Sequence, residues 1–174
     1  MSAIFITPYS AVEATVKRHK PSHVITLLDP QTLVATPRGI ARERHLRLGI
    51  DDITEPAMGS VVPSSEHVSD ILAFAKSWDR KQPILVHCWA GISRSTAAAF
   101  ILLSDIHGAG SEYEIARGLR ARAPHAQPNR LMVRHADALM GRGGHMIDAV
   151  ATMGPARVVW EGEVVELPLL LDEL

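Results

Sequence analysis

Pro83-Ile84-Leu85-Val86-His87-Cys88-Trp89-Ala90-Gly91-Ile92-Ser93-Arg94-Ser95 decides how this chain is read. Residues 83–87 are apolar and β-branched at Ile84 and Val86, which predicts a buried, central strand. From about Arg94 to His107 the chain is apolar nearly all round, which predicts a buried helix. A short turn around Gly91 joins them. In an open α/β sheet, ligands bind at the carboxyl ends of strands beside helix N-termini. Cys88, the single cysteine of the chain, stands at that point.

Working outward, the same alternation recurs. Ala3–Ile6 predicts a short strand, and Pro8 opens a helix that Pro21 ends. His23–Leu28 predicts a second buried strand closed by Asp29-Pro30. Residues 31–43 read as loop or short helix, and Glu43–Leu48 as a third strand. Residues 49–63 form a long loop rich in acids, Gly and Pro, a kind that is usually functional. Ser64-Ser65-Glu66 starts a helix whose Val68, Ile71, Leu72, Ala75 and Trp78 repeat at helical spacing. Further helices are expected over about 111–123, 129–140 and 145–153. Arg157–Leu167 alternates around Glu161-Gly162 and predicts a β-hairpin. The fold class is therefore α/β, a mostly parallel central sheet with helices on both faces and a C-terminal hairpin. With no internal repeat and no linker, residues 1–174 are expected to form one domain, a core of about 1–140 with 141–174 as an extension.

Composition narrows the function. One cysteine forbids an internal disulfide, a multi-cysteine zinc site, a CxxC pair and any two-thiol relay. The net charge of -1 is not the field of a nucleic-acid binder. Charge is nonetheless uneven: six arginines face one acid between Ile115 and His145, and the last twenty residues hold five acids against Arg157. Nine histidines are present, but none falls in a dense ligand spacing, so no metal is expected. The N-terminus lacks the basic start of a signal peptide, and Ala97–Leu103 is too short to span a bilayer. A cytoplasmic location is the corresponding expectation, because a free thiol stays reduced there.

The chemistry of residues 87–95 follows from their order. A short loop closing onto a helix N-terminus aims several backbone N–H groups at one spot, which suits an anion such as phosphate or sulfate. Trp89, Ala90, Gly91, Ile92, Ser93 and Arg94 are the expected phosphate-binding residues. The Arg94 fork suits two oxygens of one phosphate. Thiols in such a positive field ionise more readily than free cysteine, and Cys88 beneath a bound phosphate is placed for in-line attack. Ser95 is expected to hydrogen-bond the thiolate, and His87 to orient the loop through its backbone.

This Cys-x5-Arg pattern, preceded by His87, followed by Ser95 and carrying Gly91 third in the loop, resembles the signature of the protein tyrosine phosphatases. The element order over roughly residues 1–140 is similar to the compact, dual-specificity-like branch, in a bacterial type. The resemblance implies a cysteinyl-phosphate intermediate at Cys88, no cofactor, and a general-acid aspartate on a mobile loop. Asp51 and Asp52 occupy the matching place; Asp52, where the loop proper begins, is favoured, with Asp51 as turn or capping residue and Glu55 third. The Trp-Pro-Asp form of that loop is absent, and Trp78-Asp79 does not replace it. The family's second step often uses Gln or Asn to place water, which points to Gln127 or Asn129, although Asn129 also suits a helix cap. The implied substrates are phosphorylated protein or a small aryl phosphate. Two alternatives stand beside this reading: a phosphoprotein-binding pseudophosphatase, and a rhodanese-like phosphatase that also uses Cys-x5-Arg. A homodimer through the Arg157–Leu167 hairpin is a further expectation.

Overall fold

A computed structural model describes residues 2–32, 34–55, 58 and 60–174. Five strands form one sheet: β1 (Ala3–Pro8), β2 (His23–Leu28), β3 (His45–Gly49), β4 (Ile84–Cys88) and β5 (Val165–Pro168), in the order β3-β2-β4-β1-β5. The first four run parallel and β5 pairs antiparallel with β1. The most apolar strand, β4, lies between β2 and β1, as its composition requires of a strand covered on both faces. Of the loop expected over 49–63, Gly49 instead ends β3, and the described residues from Ile50 to Pro63 form neither helix nor strand; Pro56, Ala57 and Gly59 lie outside the described residues.

The period of two along each strand divides the core into two layers. Ile4, Ile6, Ile25, Leu27, Ile84 and Val86 point to one face. There they meet α2 (Ser65–Ala75), α3 (Arg94–His107), α4 (Glu112–Arg122), α5 (Arg130–Leu139) and α6 (His145–Thr152). Ala3, Phe5, Val24 and Leu85 point to the other, where Val12 and Val16 of α1 (Val12–His19) cover them. Helices do lie on both faces, but five to one. Helix α3 is buried along most of its length, from Arg94 to Ser104, because it is sandwiched between the sheet and its neighbours. Helix α2 begins at a capping box in which Ser64 accepts from the His67 amide and the His67 ring accepts from the Ser64 amide.

The C-terminal hairpin is not formed. Only Val165–Pro168 is strand; Arg157 and Gly162 spend their amides elsewhere, on Pro124 O (2.8 Å) and Ala90 O (2.7 Å). Backbone groups already paired with other segments cannot close a two-stranded ladder. The homodimer contact expected of that hairpin thus has no hairpin to rest on. Residues 141–174 are also less of an extension than composition suggests: Met146, Ala149, Val165 and Leu167 belong to the main core. Phe100, fully buried in α3, is among the largest side chains of that core. Phe100→Ala is expected to lower unfolding stability by about 3–5 kcal/mol, read as a fall in the urea midpoint with an unchanged slope.

Candidate active site

The four parallel strands end at one edge, and each delivers a residue there. Tyr9 follows β1, Asp29 follows β2, Ile50 to Asp52 follow β3, and Cys88 closes β4. The loop from Cys88 to Arg94 curls between β4 and α3. Gly91 has φ +70°, and a Cβ on it would stand 2.7 Å from Pro8 N, so the turn needs glycine.

The loop's carbonyls are tied outward. Tyr9 N donates to Trp89 O (2.9 Å), Gly162 N to Ala90 O (2.7 Å), Gln127 N to Ile92 O (2.9 Å), and Asn129 N to Ser93 O (3.3 Å). The Thr96 hydroxyl adds bonds to Ile92 O and Ser93 O. Among the described residues, the amides of Trp89 to Arg94 donate no hydrogen bond to protein. A loop with carbonyls engaged on one side and amides left free is the arrangement that can receive an oxyanion.

Arg94 is 2% exposed and its charge is held from behind. One terminal nitrogen donates to Ile50 O (2.6 Å) and to Asp29 Oδ1 (3.2 Å). Its Nε is buried without a hydrogen bond, 3.7 Å from Asp52 Oδ2. A buried donor left without a partner is costly, and an oxyanion in the loop is the group that would satisfy it. Cys88 is 1% exposed, with Sγ 3.2 Å from Ser95 Oγ. The expected thiol–hydroxyl contact is therefore present.

Asp51 and Asp52 have separate places. Asp51 Oδ2 accepts from Val61 N (2.7 Å) and closes its own loop. Asp52 Oδ1 accepts from Ser93 Oγ (2.6 Å) and Asn129 Nδ2 (3.1 Å), so its carboxylate leans on the Cys88–Arg94 loop. Asn129 caps α5 as well: its Oδ1 accepts from the amides of Leu131 and Met132. Gln127 reaches the loop through its backbone. No group of three or more His, Cys, Asp or Glu among the described residues is arranged to hold a metal.

Asp29 has no role in the sequence reading beyond ending a strand. Its carboxylate bridges Arg94 and the Trp89 indole, the latter at 2.6 Å. The one available signal was its place at the carboxyl end of β2. His87 points to the α1 face, where its Nε2 meets Thr26 Oγ1 at 2.6 Å; Thr26 also meets His45 Nε2 at 2.8 Å. Its Nδ1 has no partner within hydrogen-bonding geometry, so the backbone bond expected of it stops short. Burial pushes His87 down to about 4, against a smaller opposing contribution from the nearby Cys88 backbone. Burial, helped by Arg47, pushes His45 to about 4 also. Both rings are neutral at pH 7.

The unfolded chain would protonate these histidines near the ordinary 6.5, whereas the folded one resists until about 4. Stability should therefore be flat above that range and fall as pH drops through it. The slope is expected to reach about 1.4 kcal/mol per pH unit for each histidine. Urea midpoints between pH 7.5 and 4.5 check this: a His45→Gln/His87→Gln variant should lose less over that interval than wild type.

Comparison with known proteins gives a consistent family picture. No family model matches the chain. Dual specificity protein phosphatase 15 of the mouse, Mus musculus, is 31% identical over 114 residues, covering 64% of this chain and 43% of the mouse protein. The chain thus spans less than half the length of the curated relatives it matches. The crystal structure of DUSP15 superposes with a TM-score of 0.64 at 19% identity, covering 87% of this chain and 94% of that one. A human tyrosine phosphatase-like serine/threonine/tyrosine-interacting protein gives 0.58 at 18% identity, over 80% and 96%. Those likenesses establish the fold, and with it the scaffold that carries the Cys-x5-Arg loop; the rhodanese-like alternative is set aside.

Proposed function

We propose that this chain belongs to the compact, dual-specificity-like branch of the protein tyrosine phosphatase superfamily and is a metal-independent phosphomonoester hydrolase that works through Cys88. One observation carries the reading. One short loop holds amides without a protein partner, the Cys88 sulfur and a buried, unbonded Arg94 Nε that lies 3.7 Å from Asp52, whose carboxylate accepts from Ser93 of the same loop.

The chemistry follows in two displacements. The Cys88 thiolate attacks phosphorus while the phosphate oxygens lie on the loop amides and Arg94. A sulfur–phosphorus bond forms, the ester P–O bond breaks, and the leaving oxygen takes a proton from the Asp52 carboxyl. Water then attacks the phosphorylated cysteine and gives a proton back to Asp52. The S–P bond breaks, and inorganic phosphate and thiolate are released. Ser95 Oγ, 3.2 Å from the sulfur, stabilises that thiolate as it leaves. Asn129, bonded to Asp52, holds the carboxylate where both transfers occur. Fixed N–H donors serve the transition state better than water would, because they need no reorganisation as charge moves to the phosphoryl oxygens.

The substrate class is phosphorylated protein, with aryl phosphates as small surrogates. No Lys or Arg stands in the loop interior Trp89–Ser93, which argues against ligands bearing several phosphates. The reduced thiol this chemistry needs suits the cytoplasm. No helix among the described residues is long and apolar enough to cross a membrane.

Turnover of p-nitrophenyl phosphate tests the proposal. Wild type should hydrolyse it without added metal, and Cys88→Ser should be inactive. A wild type that binds orthovanadate or phosphate but releases no product would instead make the chain a phosphoprotein-binding pseudophosphatase. In pH profiles of kcat, Asp52→Asn should lose the alkaline limb and Asp51→Asn should keep it; the reverse result would move the acid role to Asp51. Asp29→Asn removes the charge that holds Arg94 in place. It is expected to lower kcat/KM on the order of 10- to 100-fold while Cys88 remains alkylable by iodoacetamide.

A further inference from the structure

Beside the phosphate loop lies a recess of about 350 Å³ lined by Tyr9, Ser10, Trp89, Ala90, Trp160 and Glu161. It holds two of the chain's three tryptophans and one of its two tyrosines. These aromatic side chains are left in solvent: Tyr9 and Trp89 are each 42% exposed and Trp160 fully so. Exposed aromatic surface gathered at one place usually marks a binding function. The one ionisable acid of the lining is Glu161, and no Lys, Arg or His lines the recess.

The recess is built rather than incidental. Tyr9 and Gly162 donate their amides to Trp89 O and Ala90 O, which ties both walls to the phosphate loop. Asp29 fixes the Trp89 indole through Nε1, and the Tyr9 ring meets Trp89 edge-on at 5.3 Å between centroids. Ser10 Oγ donates to Glu161 Oε1 and holds that carboxylate beside the rings. A Cβ at Gly162 would stand 2.5 Å from His125 Nε2 and 3.1 Å from Gly91 O. Glycine is therefore what lets the 160–162 segment come against the loop.

We propose that this recess is a cation-binding subsite, and that it takes the Arg or Lys side chain of a residue flanking the phosphorylated one in a protein substrate. The inference rests on the phosphatase reading above and deepens it. Trp89 and Ala90 belong both to the phosphate loop and to the recess. A ligand whose phosphate lies on the loop amides consequently carries its neighbouring residues over the aromatic rings. Ring faces are the negative pole of the aromatic quadrupole, so they attract a cation, and Glu161 adds a full charge of the right sign. The same carboxylate repels an acidic neighbour. A purely apolar side chain would gain ring contact but nothing from Glu161.

Phosphotyrosyl peptides identical except for flanking Arg, Leu or Glu provide the test, read as kcat/KM for wild type, Trp160→Ala and Glu161→Gln. Wild type should prefer the Arg peptide over the Leu peptide by roughly 3- to 30-fold, and the Glu peptide should be poorest. Trp160→Ala and Glu161→Gln should each shrink the Arg preference and leave p-nitrophenyl phosphate turnover unchanged. Equal or better use of the Leu peptide by wild type overturns the proposal, as does an Arg preference that survives both substitutions. If wild type fails to hydrolyse p-nitrophenyl phosphate, the phosphatase reading fails on its own. The recess is then read by calorimetric binding of the same peptides to Cys88→Ser: the Arg-over-Leu ratio upholds it, and its absence, or no binding by any peptide, overturns it.

Discussion

A buried guanidinium is the constraint around which this molecule is arranged. Arg94 begins a helix whose middle, Ala97 to Leu103, is wholly apolar, and sits where almost no water reaches it. Left alone, such a charge would cost several kcal/mol. Asp29 and the Ile50 carbonyl take one of its nitrogens, and Asp52 stands 3.7 Å from its Nε, which has no hydrogen bond. The consequence reaches from energetics to function. The groups that make the charge tolerable in the fold, Asp29 and Asp52, also hold it beside the Cys88–Arg94 loop on which the proposed function rests.

Those partners arrive together because the sheet is parallel. In an antiparallel sheet alternate strands would end at opposite edges. Here β1, β2, β3 and β4 all finish on one side, so residues distant in sequence become neighbours around Cys88. Asp29 lies 65 residues from Arg94 and Asp52 lies 41 from Ser93. The helical face does the remaining positioning: the turn before α5 brings the Gln127 and Asn129 amides to the loop, and Asn129 spans helix cap and acid. The C-terminal segment reaches the loop from the other side at Gly162, and this contact joins the phosphate site to the aromatic recess.

Much of this was readable in advance, and the part that was not has a common cause. The buried strand 84–88 and the helix 94–107 are near-continuous apolar runs, and such runs specify themselves by periodicity and length. The Gly91 turn and the Cys88–Ser95 contact were legible because they depend on spacing within one short loop. The preference for Asp52 over Asp51 rested on which residue opens the loop; the contacts of Asp52 with Ser93 and Asn129 come from segments far along the chain and had no local signal. The hairpin over 157–167 was misread because alternation records where side chains point, not which backbone groups are already engaged. Asp29, Tyr9 and Trp160 carried no local pattern, since each acts on a partner far away in the chain.

By itself, then, the sequence determined most of the elements and singled out the Cys88–Arg94 loop, because these depend on side-chain periodicity and on spacings of a few residues. Only the tertiary structure decided which carboxylate braces Arg94, which partners Asp52 meets and which aromatic rings line the recess beside the loop. Those outcomes depend on strand order and on long-range backbone hydrogen bonds. A parallel sheet places its strand ends side by side in an order that no single segment encodes.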